Sequence, residues 1–126
     1  MTDVDGEEVR LTMPATPQLL RVARLTAAGL AGRLGFSFDE IEDVKIAVDE
    51  LCFALVGSKG RTGTLTLTYR MADSQLEILG EGVFGGESAP APSELSSQIL
   101  AAVVDDHELT RDGDTMRFRL VKRRAA

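Results

Sequence analysis

The sequence predicts an α+β two-layer sandwich, with one mixed or antiparallel sheet carrying its helices on a single face. Three observations predict it. Val9–Met13 and Thr64–Met71 alternate apolar and polar residues, as half-buried strands do. Leu19–Leu34 and Ser37–Val56 instead space their apolar residues at helical intervals. The order along the chain is strand, two helices, two strands, a loop, a helix and two strands. At 126 residues, with 44% of them hydrophobic, the chain suits one domain over 1–126 with a real core. Aromatics are only 5% and Trp is absent, so Leu, Val, Ile and Ala must build that core.

The elements follow in order. Residues 1–7 are polar and acidic and are expected to be disordered. After the Val9–Met13 strand, Thr16 is placed to cap a helix with Pro17 at its first position. Leu19, Val22, Ala23, Leu30 and Leu34 would form the buried stripe of that helix, and Gly35 would stop it. Ser37 with Glu40 fits a capping box for the second helix, Phe36 could staple onto Ile41, and Gly57 ends the helix near Val56. Gly57–Gly63 reads as a turn, and Thr64–Met71 with Gln75–Leu79 as a hairpin. Gly80–Ser93 has no periodicity and reads as a loop. Ser93 would cap a third helix over Glu94–Asp105, buried through Leu95, Ile99, Leu100 and Val103. His107–Thr110 and Thr115–Lys122 close the fold as strands around an Arg-Asp-Gly-Asp turn.

Charge and composition exclude several function classes. A net charge of −6 and a pI near 4.8 leave no concentrated basic surface for nucleic acid. Lys122, Arg123 and Arg124 read as a solvated tail. One cysteine, Cys52, forbids an internal disulfide framework and reads as a core thiol. With no leader-like opening and no apolar run of membrane length, the expected location is cytoplasmic and away from membranes. His107 reads as stabilising a helix end, and no Cys/His cluster suggests a metal.

The second helix carries most of the functional information. At 100° per residue Ile41, Val44, Val48, Leu51, Cys52 and Leu55 share one sector, and Ile46 and Phe53 form another. Asp43, Ala47, Glu50 and Ala54 lie on the strip between. A helix apolar on two sides should be largely buried, so a carboxylate on the strip needs a partner, a cleft or water. The plain reading of Glu50 is a solvated or ion-paired residue.

The wording Glu42-Asp43-Val44-Lys45-Ile46-Ala47-Val48-Asp49-Glu50-Leu51 resembles a motif of the bacterial anti-sigma-factor serine/threonine kinases, within the histidine-kinase-like ATPase superfamily. The resemblance implies that fold, and it implies that Glu50 is the base that activates a hydroxyl for phosphoryl transfer. The family places an Mg²⁺-binding Asn four residues later, where this chain has Ala54. The family then has Asp-x-Gly-x-Gly, whose Asp recognises adenine. Here Gly80-Glu81-Gly82-Val83-Phe84 stands there, so Gly82 and, as a vestige, Glu81 are the candidate nucleotide-binding residues. Glu94 opens the third helix where a triphosphate would need positive or neutral partners, and Pro90 and Pro92 stiffen a short lid. Metal ligand, adenine anchor and lid thus all depart from the pattern. No cofactor is expected, ATP with Mg²⁺ being the one group left open.

Val22-Ala23-Arg24-Leu25-Thr26 matches the family stretch whose Arg contacts both sigma factor and antagonist. Arg24 is therefore the candidate partner contact, with Arg21 beside it. The expectation is a homodimeric, anti-sigma-type regulator of stress-response transcription. It would act by binding a sigma factor, an anti-anti-sigma (STAS-type) antagonist, or both, over a degenerate nucleotide site. The alternatives are an active kinase that phosphorylates the antagonist, and a scaffold that binds neither.

Overall fold

Alternating sequence becomes sheet and helical spacing becomes helix, as a computed structural model of the chain describes for residues 7–57, 60, 62–84 and 93–125. Five strands, β1 (Glu7–Pro14), β2 (Gly63–Ala72), β3 (Gln75–Phe84), β4 (Asp106–Asp112) and β5 (Thr115–Arg123), form one sheet in the order β1-β2-β3-β5-β4. Every pairing is antiparallel. Three helices, α1 (Leu20–Arg33), α2 (Phe38–Val56) and α3 (Glu94–Val103), cover one face. The predicted two-layer sandwich is borne out.

Strand alternation divides the two faces. Leu65, Leu67, Tyr69, Met71, Leu76, Ile78, Met116, Phe118 and Leu120 are buried under the helices. The opposite face carries paired polar groups: Thr12 with Thr66, Arg117 with Glu81 and Arg119 with Glu77. Tyr69 is buried and its hydroxyl donates to the Ala23 carbonyl at 2.9 Å, so its polar end is satisfied. Ala23, Ala27 and Ala31 are fully buried at i, i+4 and i+8, where small side chains let α1 settle closely.

Several boundaries differ from expectation. Glu7 is the first residue of β1, opposite Met71 and ion-paired with Arg33 at 2.8 Å, and 1–6 lie outside the described residues. Pro17–Leu19 forms a 3₁₀ turn before α1, and the Thr16 side chain makes no capping bond. Val22, placed in the buried stripe, is exposed because the alanine ridge with Leu20 takes the core side. The Ser37–Glu40 capping box is present, and Gly57 ends α2 at φ 78°.

The largest revision concerns Gly80–Phe84, expected as loop and found as the second half of β3. These glycines are there for packing. A Cβ on Gly80 would overlap the Phe118 ring, and one on Gly82 the Phe84 ring. The remainder of the expected loop, including Pro90 and Pro92, lies outside the described residues.

The third helix stops at Val103, two residues early, and only Leu100 of its expected stripe is fully buried; Leu95 is 65% exposed. His107 is a β4 strand residue opposite Leu120, not a helix-end group. Lys122 takes that role by donating to the Val103 carbonyl at 2.8 Å. Nor is the basic tail loose. Arg123 N–H donates to Asp105, and Arg124 donates its backbone N–H to Ser74 and its guanidinium to the Leu34 carbonyl.

Candidate functional site

The capping box sets the start of α2, because Ser37 and Glu40 satisfy each other's backbone N–H groups at 2.7 and 3.1 Å. Glu40 also accepts from Ala125 N–H at 2.7 Å, and these backbone donors, that of Ser37 foremost, hold its pKa below the ordinary value. From that fixed start, helical geometry decides where each functional side chain points.

One sector of α2 is core: Val44, Val48, Leu51, Cys52 and Leu55 have no exposed surface. Burial pushes the Cys52 thiol pKa far up, which keeps it protonated and inert, as expected of a core cysteine. The second sector is not buried. Ile46 is 42% and Phe53 50% exposed, because α1 and α3 flank α2 and leave that side outward.

The strip between the sectors faces α3. Lys122 Nζ bridges Asp43 Oδ2 at 3.2 Å and the Val103 carbonyl, at the far end of α3. Ser96 Oγ, in the first turn of α3, donates to Glu50 Oε2 at 2.7 Å. The two carboxylates of the strip therefore hold α3 at both ends, and fully buried Ala47 lies between them. Ser93 caps α3 by accepting from Ser96 N–H at 3.0 Å. A hydroxyl was not foreseen as the partner of Glu50, since nothing in the sequence links Ser96 to a residue 46 positions earlier.

On its other side Glu50 lines a groove of about 410 Å³ between the 3₁₀ turn, α1 and α2, shared with Arg21, Arg24, Asp49 and Phe53. Arg24 Nη1 meets Asp49 Oδ2 at 3.1 Å, while Arg24 Nε is buried without an acceptor among the described residues. Three of the sequence candidates, Arg21, Arg24 and Glu50, are thus brought together. The other two part company: Gly82 faces the helices with Phe84, while Glu81 lies on the opposite face, bonded to Arg117 at 2.7 Å. Asp49 and Ser96 were missed, although a second carboxylate beside Glu50 and an Arg pair on the preceding helix were a usable signal for Asp49.

Chemically, the groove offers a guanidinium fork beside two carboxylates, which suits recognition of charged and hydrogen-bonding groups. Ala54, one turn beyond Glu50, offers no donor atom. Among the described residues no cluster of His, Cys, Asp or Glu is arranged to hold a metal, and no helix is long and apolar enough to cross a membrane.

Comparison with known proteins agrees with the helix wording. No family model matches the chain. Curated relatives do match. One is serine-protein kinase RsbW of Halalkalibacterium halodurans, 39% identical over 74 residues, or 58% of this chain and 46% of the relative. Serine-protein kinase RsbW of Bacillus cereus is 37% identical over 75 residues, covering 58% and 47%. That of Bacillus mycoides is 36% identical over the same length. The chain spans about half the length of these relatives, and it is a relative of the RsbW serine-protein kinases.

Proposed function

We propose that this relative of the RsbW kinases is an anti-sigma-type regulator. It acts by binding a sigma factor, an anti-anti-sigma antagonist of the STAS type, or both, as a cytoplasmic homodimer serving a stress response, over a nucleotide site that no longer holds Mg-ATP. One observation carries the reading: Glu50, the candidate base, is already engaged by Ser96 from α3, with Ala54 one turn further on.

The surrounding residues do not fit a magnesium nucleotide. A methyl group at 54 coordinates nothing. The space beside Gly80 is filled by the Phe118 ring and that beside Gly82 by Phe84, so neither glycine leaves an open cradle on the helix-facing side of β3. The vestigial acidic candidate, Glu81, is on the far face of the sheet and tied to Arg117. Glu94 adds a negative charge to the first turn of α3, favourable to an empty helix end and repulsive to phosphate. Arg21 and Arg24, in contrast, remain at the groove, which is what partner binding requires.

Thermal unfolding with and without Mg-ATP tests this. A ligand at 100 times its Kd adds about 2.7 kcal/mol, so no shift is expected. An upward shift that disappears in Glu50→Ala refutes the degenerate site. The second reading, an active serine kinase, is favoured by the retained Glu50 and by the relatives' name, serine-protein kinase. Transfer of labelled phosphate to a serine of a STAS-type protein, lost in Glu50→Gln, would establish it. Sedimentation of the full chain at micromolar concentration checks the dimer, with a monomer counting against it.

A further inference from the structure

We propose, on the footing of partner binding at the α1–α2 groove, that Asp49 is an internal competitor that holds Arg24 until a partner's carboxylate displaces it. In the structure the guanidinium is poorly satisfied. One Nη meets Asp49 at 3.1 Å, and Nε is shut away from solvent with no acceptor among the described residues. Most buried donors find partners, and one that does not is costly, so this exception calls for a physical reason. The contact that holds the pose is weak, because the Arg24 and Asp49 side chains are 35% and 45% exposed and water screens them.

A carboxylate presented edge-on would engage Nε and an Nη together, the geometry a guanidinium favours. Reaching it requires Arg24 to turn out of its resting pose, which relieves the orphaned Nε and returns Asp49 to water. No donor is lost in the exchange and one acceptor is gained. The surrounding charges set the selectivity. Arg21 adds a second positive charge to the groove, while Asp49 and Glu50 repel any acid that fails to capture Arg24.

The apolar neighbours narrow the ligand further. Phe53 lines the groove half-exposed, and Leu25, 55% exposed, lies one turn beyond Arg21 on the same side of α1. The fitting occupant is an acidic residue on a protein segment with an apolar side chain beside it. Asp49 then sets affinity from within the chain, by making every incoming carboxylate compete with one already in place.

The full chain is titrated calorimetrically at low salt with an end-blocked tetra-aspartate peptide and with its tetra-asparagine counterpart, and the Arg24 Nε–H resonance is followed in the variants that retain the arginine. Asp49→Asn, which keeps the shape and removes the charge, should bind the acidic peptide about two- to fivefold more tightly than the parent. Asp49→Ser should do the same, and Arg24→Gln should abolish binding in both backgrounds. Equal affinity for parent and Asp49→Asn, or binding that survives Arg24→Gln, overturns the proposal; thermal unfolding of each variant confirms that it is folded.

A second arm uses the purified sigma factors and STAS-type proteins of the source organism. Tighter binding to Asp49→Asn than to the parent supports the competitor. Binding that Asp49→Asn leaves unchanged overturns it while the regulator reading stands. A peptide effect with no sigma factor or antagonist bound would leave the carboxylate competitor intact and reject the regulator reading.

Discussion

Replacing Ser96 by Ala isolates the tie between α2 and α3. The hydroxyl donates to the Glu50 side-chain oxygen at 2.7 Å, and hydrogen bonds to carboxylates contribute about 1.5–3 kcal/mol net. Two effects reduce that figure. Glu50 is only part-buried, so water replaces the lost donor, and Ala is a better helix former than Ser by up to ~0.5 kcal/mol. The neighbouring exposed Ser97 supplies the correction, since Ser97→Ala carries the same helix gain without the Glu50 bond. Ser96→Ala should therefore be less stable than Ser97→Ala by about 1 kcal/mol, or about 3–5 °C in Tm for a chain of this size. Urea unfolding of the two variants with Glu50→Gln and the double variants completes a cycle, in which Ser96 and Glu50 should couple and Ser97 and Glu50 should not. Equal stability of the two alanine variants, or no coupling of Ser96 to Glu50, would falsify the claim that this bond fastens α3 to the candidate base.

Three further outcomes follow from other contacts. Gly80→Ala should cost about 1–3 kcal/mol by urea unfolding, because its Cβ would overlap the buried Phe118 ring; a neutral effect would mean that the glycine is not kept for packing. Lys122→Met removes the bridge from Asp43 to the end of α3 and should cost about 1–2 kcal/mol, with hydrogen exchange rising first in the last turn of α3. Uniform exchange across the chain would contradict a local clamp. Because the folded-state pKa of Glu40 is depressed, its contribution is complete above its ordinary value of 4.5 and is lost as pH falls through the folded value. Glu40→Gln should therefore flatten the acid limb of the stability profile, and an unchanged limb would show that the capping box does not carry it.

Local patterns in the chain were enough to determine the sandwich, the capping box and the core sector of α2, because periodicity and caps act within a few residues. The wording of α2 was likewise enough to identify the relatives. Local signals failed where a residue's role depended on what faces it. Gly80 and Gly82 read as loop because a glycine inside a strand has meaning only beside the Phe118 and Phe84 rings it makes room for. Ile46 and Phe53 read as buried because periodicity reports that a face is apolar, not whether anything covers it. The C-terminal basics read as a free tail, yet their partners at Asp43, Val103 and Leu34 are distant in sequence and meet them only through the sheet order.

The candidate site divides in the same way. Sequence alone nominated Glu50, its altered neighbour Ala54 and the Arg21–Arg24 pair as candidates, through the resemblance of their wording to the family's motifs. Only tertiary structure decided that Ser96 occupies Glu50, that Asp49 occupies Arg24, and that Glu81 lies across the sheet from both. Those outcomes depend on the crossing of α1, α2 and α3 over one face, and hydrogen bonds and ion pairs act over a few ångströms of space whatever the distance along the chain.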